Sequence, residues 1–283
     1  MTTMSEKSWA RLGAIRARDL VDARLELHHA LQMPAALGIA RARPQPDFGH
    51  HALTWDREHH ALLGPKIEGA RPYRAGLRPA TLALLLLRAD GALIEALPLA
   101  DRTRAEGLAW LAETTRRYTG EDEAELRLPE HELPDHPVAT GAPFAAPFGT
   151  RGWQRTEIAR WLQDLELVLA ARRDGRAASP VRVWSHHFDM DTVLDLGEGR
   201  TLALGFSPGD EGIAEPYLYV LPTPYPDEGA LPRIEAPFEI VTDGWIGAVL
   251  RGSVLGMLAA GTQAAIVERF YRLGEETFAP LVK

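Results

Sequence analysis

Short connections between strand-like segments constrain the fold of this chain most strongly. Residues 81–87 and 92–97 are apolar runs separated only by Arg88-Ala89-Asp90-Gly91, and an Asp-Gly pair in such a connection predicts a β-hairpin. Parallel strands need a crossover of a dozen or more residues, so these connections favour antiparallel sheets. We therefore expect an α+β fold rather than a series of βαβ units.

The first part of the chain predicts a helix, four strands and a second helix. Apolar residues recur at helical spacing over residues 16–43, where Pro34 should kink or end the helix. The predicted strands are residues 51–55, 60–67, 81–87 and 92–97. Thr103 and Glu106 form a capping box, which predicts the start of the second helix.

A similar order of elements follows a Pro-rich and acidic connection. One apolar stripe predicts a helix through Ile158 and Leu165, and the predicted strands are residues 181–188, 201–206, 217–221 and 245–250. Ser253 is the predicted cap of a closing helix that buries Leu258. These patterns predict two similar helix-strand-strand-strand-strand-helix halves with antiparallel sheets, related by duplication. The halves are residues 1–120 and 153–283, joined by residues 121–152.

Composition narrows the classes of partner and compartment. The formal net charge of the 283 residues is −8 and no Lys/Arg run exceeds a pair, so no nucleic-acid partner is expected. Cysteine is absent, which excludes disulfides, thiolate catalysis and Cys-ligated metals. The first 18 residues lack the apolar stretch of a secretory signal, and residues 82–87 are too short to span a bilayer. We expect a cytoplasmic protein of a GC-rich bacterium with no membrane partner.

The most informative segment for function is residues 184–191. As a strand, it would place His187, Asp189 and Asp191 on one face, and Trp184 and His186 on the other. Two carboxylates and an imidazole are costly to bury unless a metal, a ligand, a proton partner or solvent satisfies them. The segment is therefore the leading candidate for a functional site.

The leading hypothesis for this segment is a metal-dependent enzyme that acts on a small molecule. His187 and Asp189 would be joined by Glu211 or Glu215 from a later loop, so all four are candidate metal ligands. Mixed nitrogen and oxygen ligands suit a divalent metal such as zinc or manganese, although no cofactor is identified by the sequence.

A second hypothesis is a protein that binds a small molecule without catalysis. Tyr217 and Tyr219 alternate onto one strand face and, with Trp184 and His186, could line a polar and aromatic pocket. The simpler interpretation is that the tyrosines are residues at the edge of the core. His28 and Gln32, one helical turn apart, could also present polar groups to a pocket, although a half-exposed helix flank is simpler.

A third hypothesis follows from the run His186-His187-Phe188-Asp189-Met190-Asp191. It resembles the His-His-x-x-x-Asp-Gly signature of chloramphenicol-acetyltransferase-like enzymes, with Thr192 in place of the glycine. The resemblance implies an acyltransferase in which His187 is the general base and Asp191 is structural. Both residues are therefore candidate catalytic residues.

Two other motifs are rejected on physical grounds. Gly205-Phe206-Ser207-Pro208-Gly209 matches a nucleophile elbow, but Pro208 has no backbone N–H to donate to an oxyanion. His131 and His136 are five residues apart and are interrupted by Pro134, so they cannot share a helix face as zinc ligands. A tight turn and a loop are the better interpretations.

Several short motifs together resemble a family of bacterial proteins of unknown function. They are Leu27-His28 with Gln32, the Phe188-Asp189 strand, the Ser207-Pro208-Gly209 turn, and Glu215-Pro216-Tyr217-Leu218-Tyr219 leading to Tyr225-Pro226. The motifs occur in the family's order over most of the chain. The resemblance implies a bacterial cytosolic origin and an intact fold, and it implies no substrate.

Overall fold

The computed structural model describes residues 9–121, 125–146 and 150–282, which contain five α-helices and eleven β-strands. The helices are α1 (Val21–Arg41), α2 (Arg104–Thr119), α3 (Thr150–Arg173), α4 (Gly252–Gly256) and α5 (Ala260–Phe278). The strands are β1 (Ala52–Asp56), β2 (Ala61–Leu63), β3 (Tyr73–Arg78), β4 (Ala83–Arg88), β5 (Leu93–Pro98), β6 (Arg182–Trp184), β7 (Asp189–Gly197), β8 (Arg200–Ser207), β9 (Tyr217–Thr223), β10 (Glu239–Val241) and β11 (Gly247–Arg251). With helices and antiparallel strand pairs together, the chain is an α+β protein, as predicted.

The described residues form two compact units. The first unit comprises those among residues 22–159 and 182–188, and the second comprises those among residues 1–21, 160–181 and 189–283. The division into halves at residues 121–152 stays a prediction, and residues 122–124 and 147–149 of that connection lie outside the described residues. In the described part of the chain, no helix is long and apolar enough to cross a membrane.

The first unit contains an antiparallel sheet with the strand order β6-β1-β2-β3-β4-β5. β4 is buried on both faces, because Leu85 and Leu87 pack with Ala61 and Leu63 on one side while Leu84 and Leu86 are buried on the other. The hairpin predicted at Asp90-Gly91 is confirmed between β4 and β5. The apolar run thus folds as a central strand.

Helices α1 and α2 also belong to this unit. The capping box of Thr103 and Glu106 is confirmed at the start of α2. Gly107 allows α2 to approach α1 closely, since a Cβ atom there would lie 2.5 Å from the Sδ atom of Met33. Pro34 lies inside α1 and does not end it, as the helix continues to Arg41. Most of α1 is buried, and this packing outweighs the local cost of the proline.

The second unit contains an antiparallel sheet with the strand order β10-β11-β9-β8-β7. Trp161 of α3 stacks on Phe206 with ring centroids 5.6 Å apart. Tyr271 of α5 donates a hydrogen bond to the carbonyl oxygen of Gly205 at 2.9 Å. The helices α3 and α5 therefore cover one face of this sheet.

Four expectations about elements are corrected. The structure adds β3, which Gly76 and its flanking prolines obscure in the sequence, and also β7 and β10, so the described strands number five and six instead of four in each half. The predicted strand 181–188 ends at Trp184, and β7 begins at Asp189. Ser253 is not a helix cap, because it lies inside α4 after the N-cap residue Arg251. The closing helix α5 begins separately at Ala260, without a side-chain cap.

Candidate functional site

The segment Ser185-His186-His187-Phe188 is a turn between β6 and β7. The backbone N–H of Phe188 donates to the carbonyl oxygen of Trp184 at 2.8 Å, and Phe188 has a φ angle of 53°. A positive φ angle breaks the alternation of an extended strand. The prediction that His187, Asp189 and Asp191 share one strand face is therefore wrong, since His187 lies in the turn.

A buried pair on α1 anchors this turn. The Nε2 atom of His28 lies 3.0 Å from the carbonyl oxygen of Ser185, and Gln32 Nε2 donates to the same oxygen at 2.7 Å. Because a carbonyl oxygen only accepts, the Nε2 atom of His28 carries the hydrogen. Burial lowers the pKa of His28 to about 4, so its ring is neutral at neutral pH. His28 and Gln32 are buried, which corrects the interpretation as a half-exposed flank.

The turn carries two predicted site residues into a cluster of imidazoles. The rings of His186 and His187 have centroids 4.2 Å apart, and the ring of His131 lies 6.2 Å from that of His186. Trp184 packs edge-on against His186 at 6.0 Å. His51 of the same unit also acts electrostatically on His186. We call His51, His131, His186 and His187 the imidazole cluster.

Burial and neighbouring imidazoles lower the pKa values of three rings of the imidazole cluster, those of His51, His131 and His186. Partial desolvation and the imidazoles of His187, His131 and His51 lower the pKa of His186 to about 4, although much of its side chain is exposed. Partial burial, followed by His187, lowers the pKa of His131. Partial burial also lowers the pKa of His51. Neutral imidazoles offer both a donor and an acceptor nitrogen to a ligand.

In the second unit, two tyrosine–aspartate pairs lie on one face of the sheet. Tyr219 of β9 donates to Asp189 Oδ2 of β7 at 2.6 Å, and Tyr217 donates to Asp210. Gly205 of β8 is the strand partner of both Asp191 and Tyr219, so Asp191 lies in the same row. This arrangement brings four of the predicted site residues, Asp189, Asp191, Tyr217 and Tyr219, into one region.

Both tyrosines are hydrogen-bond donors in this arrangement. Burial, followed by the charges of Asp189 and Asp191, raises the pKa of Tyr219 well above its ordinary value. Burial and the hydrogen bond to Asp210 likewise raise the pKa of Tyr217. The hydroxyl groups therefore stay protonated at neutral pH. Each hydrogen bond offsets part of the free energy that it costs to desolvate the carboxylate that accepts it.

A cavity of about 730 Å³ also lies in the second unit. Residues from four segments line it: 13–21, 161, 212–215 and 251–257. The lining is mainly apolar, with Ile15, Val21, Trp161, Ile213 and Met257 among its side chains. The cavity has the size and composition of a small-molecule site.

Predicted residue Glu215 lies at this cavity, where its Oε2 atom accepts a 2.6 Å hydrogen bond from the backbone N–H of Ser253. Arg251 also lines the cavity and forms a two-pronged pair with Glu239 at 3.0 to 3.2 Å. The hydrogen bond to Glu239 raises the pKa of Arg251, so its guanidinium group stays charged. Hydrogen bonds within the protein thus hold the polar side chains of Glu215 and Arg251 in place.

The proposed metal ligands are distributed between the two units. His187 belongs to the first unit, whereas Asp189, Glu211 and Glu215 belong to the second, where Glu211 is exposed between β8 and β9. Among the residues that the structure describes, no group of three or more His, Cys, Asp or Glu side chains is arranged to hold a metal ion. The metal set, and the catalytic roles of His187 and Asp191, stay predictions.

Sequence patterns did not indicate several residues of these regions. His51 and His131 are remote from residues 184–187 along the chain, and no spacing rule links them. Arg16, Arg18 and Trp161 reach the cavity from the N-terminal segment and from α3. Only the tertiary fold brings these residues close to the site residues that the sequence predicted.

Comparison of the chain with protein-family models, with curated proteins and with solved structures gave no match. The resemblance to bacterial proteins of unknown function therefore stays a prediction.

Proposed function

We propose that the protein binds a small, mainly apolar molecule that carries one acidic group, in the cavity of the second unit. The cavity itself carries this proposal. Its volume of about 730 Å³ falls within the range of roughly 300 to 1,000 Å³ that small-molecule sites occupy. Its apolar lining would remove a hydrocarbon or aromatic body from water.

The contacts around the cavity support a site that exists before the ligand arrives. Gln263 of α5 is fully buried and exchanges hydrogen bonds with both backbone groups of Leu12, at 3.0 and 2.8 Å. Gly13 lies so close to α4 that a Cβ atom on it would be 2.4 Å from the Cα atom of Gly256. The N-terminal segment that forms one wall is thereby held against α4. A preformed wall reduces the entropy lost on binding.

The charges at the cavity support an acidic group on the ligand. Arg16 and Arg18 both line the cavity, and both direct a guanidinium group at one carboxylate, that of Asp19, at 2.7 and 3.9 Å. Among the described lining residues, the three arginines Arg16, Arg18 and Arg251 outnumber the one carboxylate, that of Glu215. The unused N–H groups of a guanidinium suit a carboxylate, which accepts two parallel hydrogen bonds.

Binding is favoured over catalysis by the groups available. Among the described lining residues there is no histidine, and Ser253 carries the one hydroxyl group. The carboxylate of Glu215 accepts a hydrogen bond from the Ser253 backbone. General acid–base chemistry needs a positioned group with a suitable pKa, and neutral imidazole is the side chain most often used.

Isothermal titration calorimetry with a series of medium-chain carboxylic acids and the matching alcohols tests this proposal. We expect micromolar binding of the acids, corresponding to about −8 kcal/mol, and weaker binding of the alcohols. Ala214→Phe places a ring at an exposed edge of the cavity and should weaken binding at least about tenfold. Ala265→Phe, on an exposed position of α5, is the matched control and should bind as the wild type does.

Two results would refute the proposal. The first is the absence of measurable heat with every acid and alcohol of the series. The second is unchanged affinity in Ala214→Phe, provided that its melting temperature matches that of Ala265→Phe.

We also propose, from the sequence patterns, that the two halves arose by duplication and that the protein is a bacterial cytoplasmic one with no nucleic-acid partner. The order of elements supports a duplication, because α1 and α2 flank β1–β5 while α3 and α5 flank β6–β11. The net charge of −8 supports the absence of a nucleic-acid partner. Alignment of residues 1–120 with residues 153–283 across a set of related sequences tests the duplication, and an absence of similarity between the halves would argue against it.

A further inference from the structure

Four of the ten histidines differ from the others in their bonding. His51, His131, His186 and His187, the imidazole cluster, have no side-chain hydrogen bond or ion pair to any residue that the structure describes. Other histidine rings are bonded to the protein: those of His28, His29, His50, His59 and His136. The unbonded imidazoles are therefore concentrated in one place.

These rings come together from three separate segments of the first unit. His186 and His187 lie in the anchored turn, His51 directly precedes β1, and His131 lies in the loop that follows α2. The Nε2 atom of His131 is buried and has no hydrogen-bond partner within the described part of the chain. A buried nitrogen without a partner is costly, and a ligand that bonds to it would recover that cost.

Contacts with α1 hold the turn in place, so the position of the cluster does not depend on contacts among its own rings. His28 and Gln32 fix the carbonyl oxygen of Ser185, directly before His186, and the ring of Phe188 packs 5.8 Å from that of His28. Groups that bind ligands are commonly held in this way by a buried supporting layer.

The charges around the cluster favour an anion. Apart from desolvation, the groups that lower the pKa values of His51, His131 and His186 are other histidines, including His50 and His187. By contrast, His59 is paired with Asp56, and His136 is paired with Asp22.

The nearby cation is already neutralised. Arg182 lies over the Trp184 ring at 5.8 Å and is paired with Asp47 at 2.8 Å. The charged groups that lower the pKa of His28, on α1, are Arg24, His29 and His131, and all three are basic. A protonated cluster would consequently have no internal counter-ion among these groups.

We propose that the imidazole cluster binds a small tetrahedral oxyanion, either inorganic phosphate or the phosphate group of a phosphomonoester, and that protons are taken up from solvent as it binds. Several converging N–H donors match the several acceptor oxygens of such an anion. Each proton adds to an imidazole nitrogen and gives a cation that pairs with the anion. A transition metal is disfavoured, because the described residues contain no three-ligand group arranged to hold one. This proposal is independent of the cavity in the second unit.

Calorimetric titration of the whole protein with inorganic phosphate, and separately with phenyl phosphate, tests the proposal. The titrations are made near pH 6 and near pH 8, in two buffers that differ in enthalpy of ionisation. We expect affinity at least about tenfold higher at the lower pH and a binding heat that depends on the buffer. Tighter binding of phenyl phosphate would identify a phosphomonoester as the ligand, and equal binding would identify free phosphate.

The variant His186→Gln/His187→Gln should lower the affinity at least about tenfold at the lower pH. His60→Asn is the matched control, because His60 is exposed in the turn between β1 and β2 and asparagine tolerates its φ angle of 49°. It should bind phosphate as the wild type does. If the double variant does not fold, the single variant His51→Gln takes its place with the same expectation.

Three outcomes would overturn the proposal: no binding of either phosphate compound near pH 6, an affinity independent of pH and buffer, or wild-type affinity in the folded cluster variants. Stoichiometric binding of zinc with release of protons, lost in the double variant, would replace the anion by a metal and would also overturn it.

Discussion

The hydroxyl group of Tyr219 reaches across Gly205 to donate a 2.6 Å hydrogen bond to Asp189, so that residues of β9 and β7 are bonded over the strand between them. A Cβ atom on Gly205 would lie 2.1 Å from the Cζ atom of Tyr219. Because Gly205 has no side chain, the phenol ring of Tyr219 has room to lie over β8. The contact ties together the row of polar residues that the sequence had marked as a candidate site.

Gly205→Ala should lower the free energy of unfolding by about 1 to 3 kcal/mol, because the methyl group and the Tyr219 ring would overlap and the core must shift. Urea denaturation measures this change. Gly229→Ala is the matched control, since a Cβ atom there meets nothing within 4 Å. Equal midpoints for the two variants would mean that Tyr219 does not lie over Gly205.

Tyr219→Phe should lower the free energy of unfolding by about 1 to 3 kcal/mol, because it removes the donor to Asp189 and leaves a partly buried carboxylate less well satisfied. Tyr225→Phe, at a half-exposed position, should change the stability by less than about 0.5 kcal/mol. The two variants are compared by thermal and urea denaturation. A loss of the same size in both would show that the hydrogen bond is not the cause.

Stability should fall as the pH drops from about 6.5 towards 4. The pKa of His28 is lowered to about 4 in the folded protein, below its ordinary value of 6.5, so the unfolded chain takes up a proton first. The stability due to neutral His28 is fully present above pH 6.5 and is lost through this window, by about 3 kcal/mol at most.

His28→Gln should flatten this part of the pH profile even if it lowers stability at neutral pH. Chemical denaturation at a series of pH values, on the wild type and on the variant, measures the slope. An unchanged slope would assign the pH dependence to other groups, among which His186 has a similarly low pKa.

Leu165→Ala should destabilise the protein by about 2 to 5 kcal/mol, because Leu165 is fully buried on α3. The sequence pattern also predicts that Leu258 is buried, on the closing helix. Leu258 is instead half-buried between α4 and α5, so its replacement should cost less than that of Leu165. Urea midpoints that rank the two variants in the opposite order would place the core of this unit elsewhere.

Gln263→Leu should loosen the N-terminal segment that forms a wall of the cavity. The variant removes the hydrogen bonds to Leu12 and to the carbonyl oxygen of Leu255, and leaves their buried backbone groups without these partners. We expect faster amide exchange over residues 9–21 and weaker ligand binding. Gln45→Leu, at an exposed position, serves as the control. Unchanged exchange in Gln263→Leu would show that other contacts hold the segment.

Local patterns predicted the elements whose signals are short-range. The capping box at Thr103, the hairpin at Gly91 and the buried stripe through Leu165 depend on neighbouring residues, and all three are present. β3 was missed because its pairing with β2 and β4 is a long-range contact that its own composition does not indicate. The helix does not end at Pro34 for a similar reason, since the packing of α1 outweighs the local preference.

By itself, the sequence determined an α+β class with antiparallel hairpins, the residue types of a polar and aromatic region, and the pairing of Tyr217 and Tyr219 on one strand face. These follow from local propensity and from the two-residue period of a strand. The tertiary structure alone decided that His187 lies in a turn and not on a strand with Asp189. It also brought His51 and His131 to His186 and placed Arg16 at the cavity, because contacts between remote segments depend on how whole elements pack.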